Sequence, residues 1–360
     1  MPIRHRREGE TQGNVSASSG TGAGVDPAVD FDRGLRDYLD EVLPIEYPGI
    51  LAVAVSRDGR IAYEGYPGGD RLGPGSRFHV ASVTKSILSA LVGIALDDGL
   101  IGSLDDKVLD FYPEVPGSAV AAAAGEATIR HLLTMTAPYG FEDWREPFAE
   151  LCSSSDWELF ILGLLGRGGE FGRFKYSSAG AHLLSCILSR AAGMSAREFA
   201  NRRLLAPLGI QKIPDYPMEG FGYEELFGAK VRGWVSDPRG NSTGGWGLSL
   251  SLREMARIGE LYLGRGEWRG RRILPEPWVR ESLTPRSFAE IAGRKIPYGY
   301  LWWLSGDGES EAFMALGDGG TTICCIPGKR TVVAVAQAAM PGAPDGWSFV
   351  KERILPSLAD

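Results

Sequence analysis

One helix limits what this chain can fold into. From Ser82 to Asp98 the pattern is helical and apolar almost all round, with Ile87, Leu88, Leu91, Val92, Ile94, Ala95 and Leu96 spread over every face. A helix without a polar side must be covered everywhere, so it belongs at the centre of a layered domain. Ser89 interrupts its apolar stretch, Asp97-Asp98 close it and Gly99 stops it; it is too short to span a bilayer.

The segments around that helix fix the fold class. A helix is expected first, with Phe31, Leu35, Tyr38, Leu39 and Val42 on one face and Pro44 and Pro48 ending it. The runs Ile50 to Val55 and Ile61 to Tyr63 flank Asp58-Gly59 and read as a β-hairpin. Helical segments follow at Ile129–Met135, Asp156–Leu165, Ala179–Ala192, Ala196–Leu205 and Leu252–Leu263. Strand character returns at Tyr300–Leu304, Glu311–Leu316, Thr321–Ile326 and Thr331–Gln337, and a closing helix is expected at Phe349–Leu358. Strands at both ends of a helical block favour an antiparallel sheet covered by helices, an α/β chain of the α+β type, over a βαβ repeat. Residues 1–27 read as a disordered tail, and 28–360 as one domain. Its sheet part comes from about 28–80 and 290–360, and its mostly helical part from about 81–289.

Composition removes several functions. A net charge of −7 argues against a nucleic-acid partner, and the one basic cluster, Arg4 to Arg7, sits in a solvated lead-in. Residues 8–24 lack the apolar run of a secretory leader, so a cytoplasmic location and no membrane association are expected. Cys152, Cys186, Cys324 and Cys325 show no zinc-ligand spacing and read as buried thiols. His79, His131 and His182 share no metal spacing either and read as structural, so no metal or other cofactor is implied.

The chemistry concentrates at Ser82-Val83-Thr84-Lys85, which opens the buried helix. The i, i+3 spacing puts Ser82 and Lys85 on one face. A helix N-terminus favours an anion such as the oxyanion of acyl transfer. A lysine in an apolar helix has its pKa pushed down, which lets it accept the serine proton. Spacing alone fits an N-cap serine with a snorkelling lysine better than a catalytic pair, and Ser348 to Lys351 repeats the pattern on an amphipathic tail.

The wider context favours chemistry. Phe78-His79-Val80-Ala81-Ser82-Val83-Thr84-Lys85, with its continuation to Leu109, resembles the serine β-lactamase and penicillin-recognising family, in particular class C-like esterases and 6-aminohexanoate-dimer hydrolases. His131 to Thr136, Phe174 to Gly180, Trp234 to Leu248 and Tyr298 to Trp303 resemble later segments of that family in the right order. The resemblance implies that Tyr176 shares proton transfer with Lys85, and a phenol needs a cation beside it to act as a base. Ser178 stands where many relatives have Asn. The third motif is matched by Gly317-Asp318-Gly319-Gly320-Thr321, which would pair the backbone N–H of Thr321 with that of Ser82 as oxyanion donors.

Asp318 replaces a family cation and would repel a substrate carboxylate, which argues for a neutral or amine-bearing substrate. Gly320, Ser178 and Asp318 are further substrate-binding candidates, and Tyr139, Trp144, Trp234 and Trp246 are candidates to line an apolar pocket. The expectation is a serine hydrolase cleaving an ester or small amide of a small-molecule substrate. β-Lactam or D-alanyl-peptide hydrolysis is the second reading, and a binding module that has lost catalysis the third. The oligomeric state is left open.

Overall fold

The runs on either side of Asp58-Gly59 form a hairpin, β1 (Ile50–Arg57) and β2 (Arg60–Gly65), because both turn residues adopt the left-handed conformation that a two-residue hairpin turn needs. In the computed structural model, which describes residues 25–26, 31–141, 145–220, 222, 228, 230–305, 312–338 and 346–358, this hairpin forms one edge of an eight-stranded sheet. The other strands come from the C-terminal part: β3 (Ser287–Ile291), β4 (Arg294–Tyr298), β5 (Trp303–Leu304), β6 (Phe313–Leu316), β7 (Thr322–Ile326) and β8 (Thr331–Gln337). The order across the sheet is β2-β1-β8-β7-β6-β5-β4-β3 and every pairing is antiparallel. Chain ends therefore meet in the sheet, and the helical block is a long excursion between β2 and β3.

Both faces of the sheet are covered. The apolar helix α1 (Val83–Asp97) is buried from Val83 to Ala95, between the helix α2 (Ser178–Ala192) and the sheet at β6. Helix α3 (Leu252–Leu263) is opened by a Ser251–Glu254 capping box and lies across β1, β8 and β7. A Cβ on Gly259 of α3 would meet Ile323, Cys325 and Val332, whereas a Cβ on Gly346 in the closing helix would meet Thr322. Odd and even residues of β7 thus face opposite layers, as strand alternation requires. The vicinal thiols Cys324 and Cys325 divide between those layers, and all four cysteines are buried and free.

Three expectations are corrected. Pro44 does not end the opening helix, which runs from Arg33 to Glu46 through a π-helical turn at Tyr38–Val42. Pro44 falls in the first turn of the last segment, where its missing N–H costs least, and Val42 is turned outward. The strand expected at Tyr300–Leu304 shrinks to Trp303–Leu304: Leu301 has φ 60° and spends its N–H on Leu133 O, so the chain turns here. The hairpin β3–β4 lies partly in the stretch expected to be helical. The polar lead-in at residues 1–27 lies outside the described residues, apart from Val25 and Asp26. Among the described residues no helix is long and apolar enough to cross a membrane.

The fit of α3 on the sheet gives a test. Gly259→Ala forces a methyl to about 2.5 Å from Val332 Cγ1 and 3.0 Å from Cys325 Sγ and Ile323 Cγ2. Overpacking of this kind costs roughly 1–3 kcal/mol, so the urea midpoint should fall with an unchanged m-value. An unchanged midpoint would contradict the packing.

Candidate active site

Ser82 occupies the N-cap position of α1, yet its hydroxyl makes no capping hydrogen bond. The residue before it, Ala81, is held at φ 45°, a conformation L-residues adopt at a cost. Two contacts hold that turn: Ala81 N–H donates to His79 Nδ1 at 3.2 Å, and Thr84 Oγ1 donates to Ala81 O at 2.8 Å. One turn into the helix, Lys85 is 1% exposed. Its Nζ lies 2.9 Å from Ser82 Oγ, 3.2 Å from Ser178 Oγ and 2.7 Å from Gly245 O. All three are placed to accept from the Lys85 amine; once that amine is neutral, its lone pair can instead take the Ser82 hydroxyl proton. Burial pushes the lysine down to about 7, against a smaller opposing pull from the Glu146 carboxylate.

Two glycines bring the Gly245 carbonyl into reach. A Cβ on Gly244 would strike Ala181 O at 2.0 Å, and one on Gly245 would come within 2.8 Å of Ser178 Cβ. Only glycine allows the loop to lie this close against the first turns of α2. His182 secures it from behind: Gly244 N–H donates to Nδ1 at 3.4 Å, which leaves the imidazole proton on Nε2 facing Asp237 Oδ2 at 3.0 Å. His182, Cys186 and Asp237 bring three potential ligand atoms within 4.8 Å. Those atoms are already engaged with one another, so the cluster is a closed hydrogen-bonded brace and fits a metal poorly.

Tyr176 and Ser178 flank the start of α2. The Tyr176 hydroxyl is hydrogen-bonded to Ser82, and Lys85 Nζ lies 4.6 Å from the centroid of the Tyr176 ring. Burial raises the phenol's pKa, and the charges of Glu146 and Asp318 raise it further. Burial therefore works against Tyr176 acting as a base, the role the resemblance implies. Lys85 lies against the ring face and is itself easily neutralised, so the phenol keeps its proton.

The turn from β6 to β7 carries the third motif. Gly317 packs so tightly that a Cβ would meet Val80 O at 2.6 Å and Ala81 Cβ at 3.2 Å, which sets this turn beside the residues leading into Ser82. Gly319 and Gly320 have φ of 79° and 98°, so the turn depends on glycine. Thr321 is buried, its hydroxyl tied to the backbone of Gln337. Among the described residues neither Ser82 N–H nor Thr321 N–H donates to an acceptor of the chain. Asp318 is exposed, with its charge felt at Tyr176.

A cleft of about 460 Å³ opens beside Tyr176, lined by Phe174, Arg173, Arg286, Lys295, Phe288 and Glu290 among others. The aromatic candidates fall elsewhere. Tyr139 is buried, stacks on Phe141 and borders a separate cavity with Gly140 and Lys175. Trp246 is 4% exposed and packs on Phe148 and Trp157, and Trp234 donates its indole N–H to Thr243 O. Both are buried among core residues, while Trp144 lies outside the described residues. His131 completes a capping box with Thr128.

Sequence reading missed Glu146, which accepts hydrogen bonds from Ser177 Oγ, Ser178 N–H and Ala179 N–H. No spacing marks it, because it reaches the site from a loop more than thirty positions upstream of its partners.

A family model described as Beta-lactamase matches residues 46–347. The 6-aminohexanoate-dimer hydrolase of Paenarthrobacter ureafaciens is 26% identical over 313 residues, covering 78% of this chain and 72% of that protein. Among solved structures, the octameric penicillin-binding protein homologue from Pyrococcus abyssi superposes with TM-score 0.66 at 21% identity, covering 89% of this chain and 77% of that one. EstCE1, described as a hydrolase with promiscuous acyltransferase activity, gives TM-score 0.68 at 18% identity, over 90% and 98% of the two chains. These superpositions establish a shared β-lactamase/transpeptidase-like fold.

Burial of Lys85 has a cost that can be measured. The fold holds it at about 7, whereas an unfolded chain leaves lysine near 10.4. Between those values the unfolded state binds the extra proton, so this group's penalty is full below about pH 7 and fades as pH rises to 10. Lys85→Met should therefore gain stability relative to wild type in urea titrations at pH 6.5. That gain should shrink by on the order of 1.4 kcal/mol per pH unit above 7. A pH-independent difference would count against a depressed Lys85.

Proposed function

The chain belongs to the beta-lactamase family, and on that footing we propose that it is a serine hydrolase cleaving an ester or small amide of a small-molecule substrate through an acyl-enzyme on Ser82. The observation that carries the reading is a lysine 1% exposed whose Nζ lies 2.9 Å from the Ser82 hydroxyl oxygen. Neutral Lys85 takes the Ser82 proton as Oγ attacks the substrate carbonyl. The carbonyl oxygen becomes an oxyanion and accepts from the Ser82 and Thr321 N–H groups, both left without an acceptor of the chain among the described residues.

As the tetrahedral adduct collapses, the Tyr176 phenol protonates the leaving oxygen or nitrogen, and the Lys85 ammonium then returns its proton to the phenolate. Water then attacks the acyl-enzyme, with Lys85 again accepting a proton, and Ser82 leaves as its hydroxyl. The roles are filled by side chains and backbone, so the reading asks for no cofactor. The buried free thiols fit a reducing compartment, which supports a cytoplasmic enzyme.

Asp318 supports a neutral or amine-bearing substrate near the Tyr176 side of the nucleophile. The second reading, hydrolysis of a β-lactam or D-alanyl peptide, draws on Arg173, Arg286 and Lys295 in the neighbouring cleft, whose charges would receive a carboxylate.

Intact-mass spectrometry after exposure to a fluorophosphonate tests the nucleophile. One adduct is expected on wild type and none on Ser82→Ala, with turnover of a short-chain p-nitrophenyl ester exceeding that of a chromogenic cephalosporin. Tyr176→Phe should lower kcat/KM by about 10²–10⁴ while leaving the fold intact. Rapid cephalosporin turnover would favour the second reading, and a folded protein with neither adduct nor turnover would be a binding module.

A further inference from the structure

The hydrolytic centre holds one charged group that no motif accounts for. Glu146 is half-buried at the first turn of α2, and it accepts from three groups: Ser177 Oγ–H at 2.7 Å, Ala179 N–H at 2.7 Å and Ser178 N–H at 2.9 Å. Burial raises the Glu146 carboxyl above its ordinary value, while the donors of Ala179, Ser177 and Ser178 and the Lys85 charge oppose that rise and favour the carboxylate. Its place over unpaired N–H groups at a helix N-terminus favours the anion as well.

We propose that Glu146 is a positioning residue for the site: it pins the turn that carries Ser178 to Lys85, and its carboxylate acts through that turn on the proton acceptor. The inference rests on the reading of Lys85 as proton acceptor. Its geometric half is short. Glu146 holds both Ser178 N–H and the flanking groups of Ser177 and Ala179, and Ser178 Oγ lies 3.2 Å from Lys85 Nζ. Tyr176, bonded to Ser82, directly precedes the pinned residues.

Its electrostatic half follows from what faces Lys85. From its own helix comes Ser82, from the start of α2 come Tyr176 and Ser178, and from the glycine loop comes the Gly245 carbonyl. Glu146 supplies the charge that holds Lys85 up against desolvation, while Asp318 acts on Tyr176. Tyr139 and Cys152 also feel Glu146, and burial keeps both protonated and neutral. Removing the carboxylate therefore withdraws support from the ammonium, and Lys85 should titrate at lower pH.

The experiment is a ¹³C NMR titration of [ε-¹³C]lysine-labelled protein, with the Lys85 signal assigned by its absence in Lys85→Met. It is run on wild type, Glu146→Gln, Glu146→Ala and Glu146→Asp, each checked for folding. The Lys85 midpoint should fall by about one pH unit in both charge-free variants and stay close to wild type in Glu146→Asp. The acid limb of kcat/KM for the p-nitrophenyl ester should move the same way. An unmoved midpoint in either folded charge-free variant, even with reduced turnover, would overturn the proposal, as would an equal shift in Glu146→Asp. Should the hydrolase reading itself fail, ester turnover would be absent or would survive Ser82→Ala, while the NMR midpoint still reports on Glu146.

Discussion

The arrangement depends on burying a lysine. Lys85 has lost nearly all contact with water, and its three hydrogen-bond partners come from three separate places: Ser82, Ser178 and Gly245. Desolvation of an ammonium is expensive, and a protein keeps such a group only where its neutral form is useful or its charge is well paired. Here the apolar surroundings of α1 remove water, while Ser82, Ser178 and Gly245 all lie within hydrogen-bond reach of the amine. The sheet and the helical excursion can be understood as the means of holding those partners at once. α1 contributes the nucleophile and base, α2 the tyrosine and second serine, and the β6–β7 turn the facing backbone.

The cost of that convergence is spread over the backbone. Ala81 is strained just before the nucleophile, Gly244 and Gly245 lie too close to α2 for any side chain, and Gly319 and Gly320 shape the opposing turn. Each sits where backbone must approach the reacting groups, which is where strain and glycine are expected to collect. The charges around the site are uneven in a way that bears on substrate. Glu146 and Asp318 raise the Tyr176 phenol, whereas Arg173, Arg286 and Lys295 line the cleft beside it.

Much of this was legible in the sequence. The all-round apolarity of Ile87 to Leu96 foretold a central helix, the runs flanking Asp58-Gly59 a β-hairpin, and the separation of strands to the chain ends an antiparallel sheet. Ser82 and Lys85 were marked by i, i+3 spacing with an apolar continuation, both local properties. What escaped depends on contacts distant in sequence. Glu146 acts on residues it meets only after folding, and the burial that raises the Tyr176 phenol likewise comes only with the fold. Trp246 has the composition of a pocket wall but lies against Phe148 and Trp157. Tyr300–Trp302 was misread as strand because Leu301 turns the chain and gives its N–H to Leu133 O instead of a ladder.

The most direct test of a neutral, buried base is the pH dependence of the rate at which a fluorophosphonate modifies Ser82. This isolates nucleophile activation from substrate choice and deacylation. The account predicts a rate that climbs about tenfold per pH unit below a midpoint near 7 and then levels, with the limb lost in Lys85→Met. A midpoint near 10, where an ordinary lysine titrates, or a limb that persists without Lys85, would contradict it.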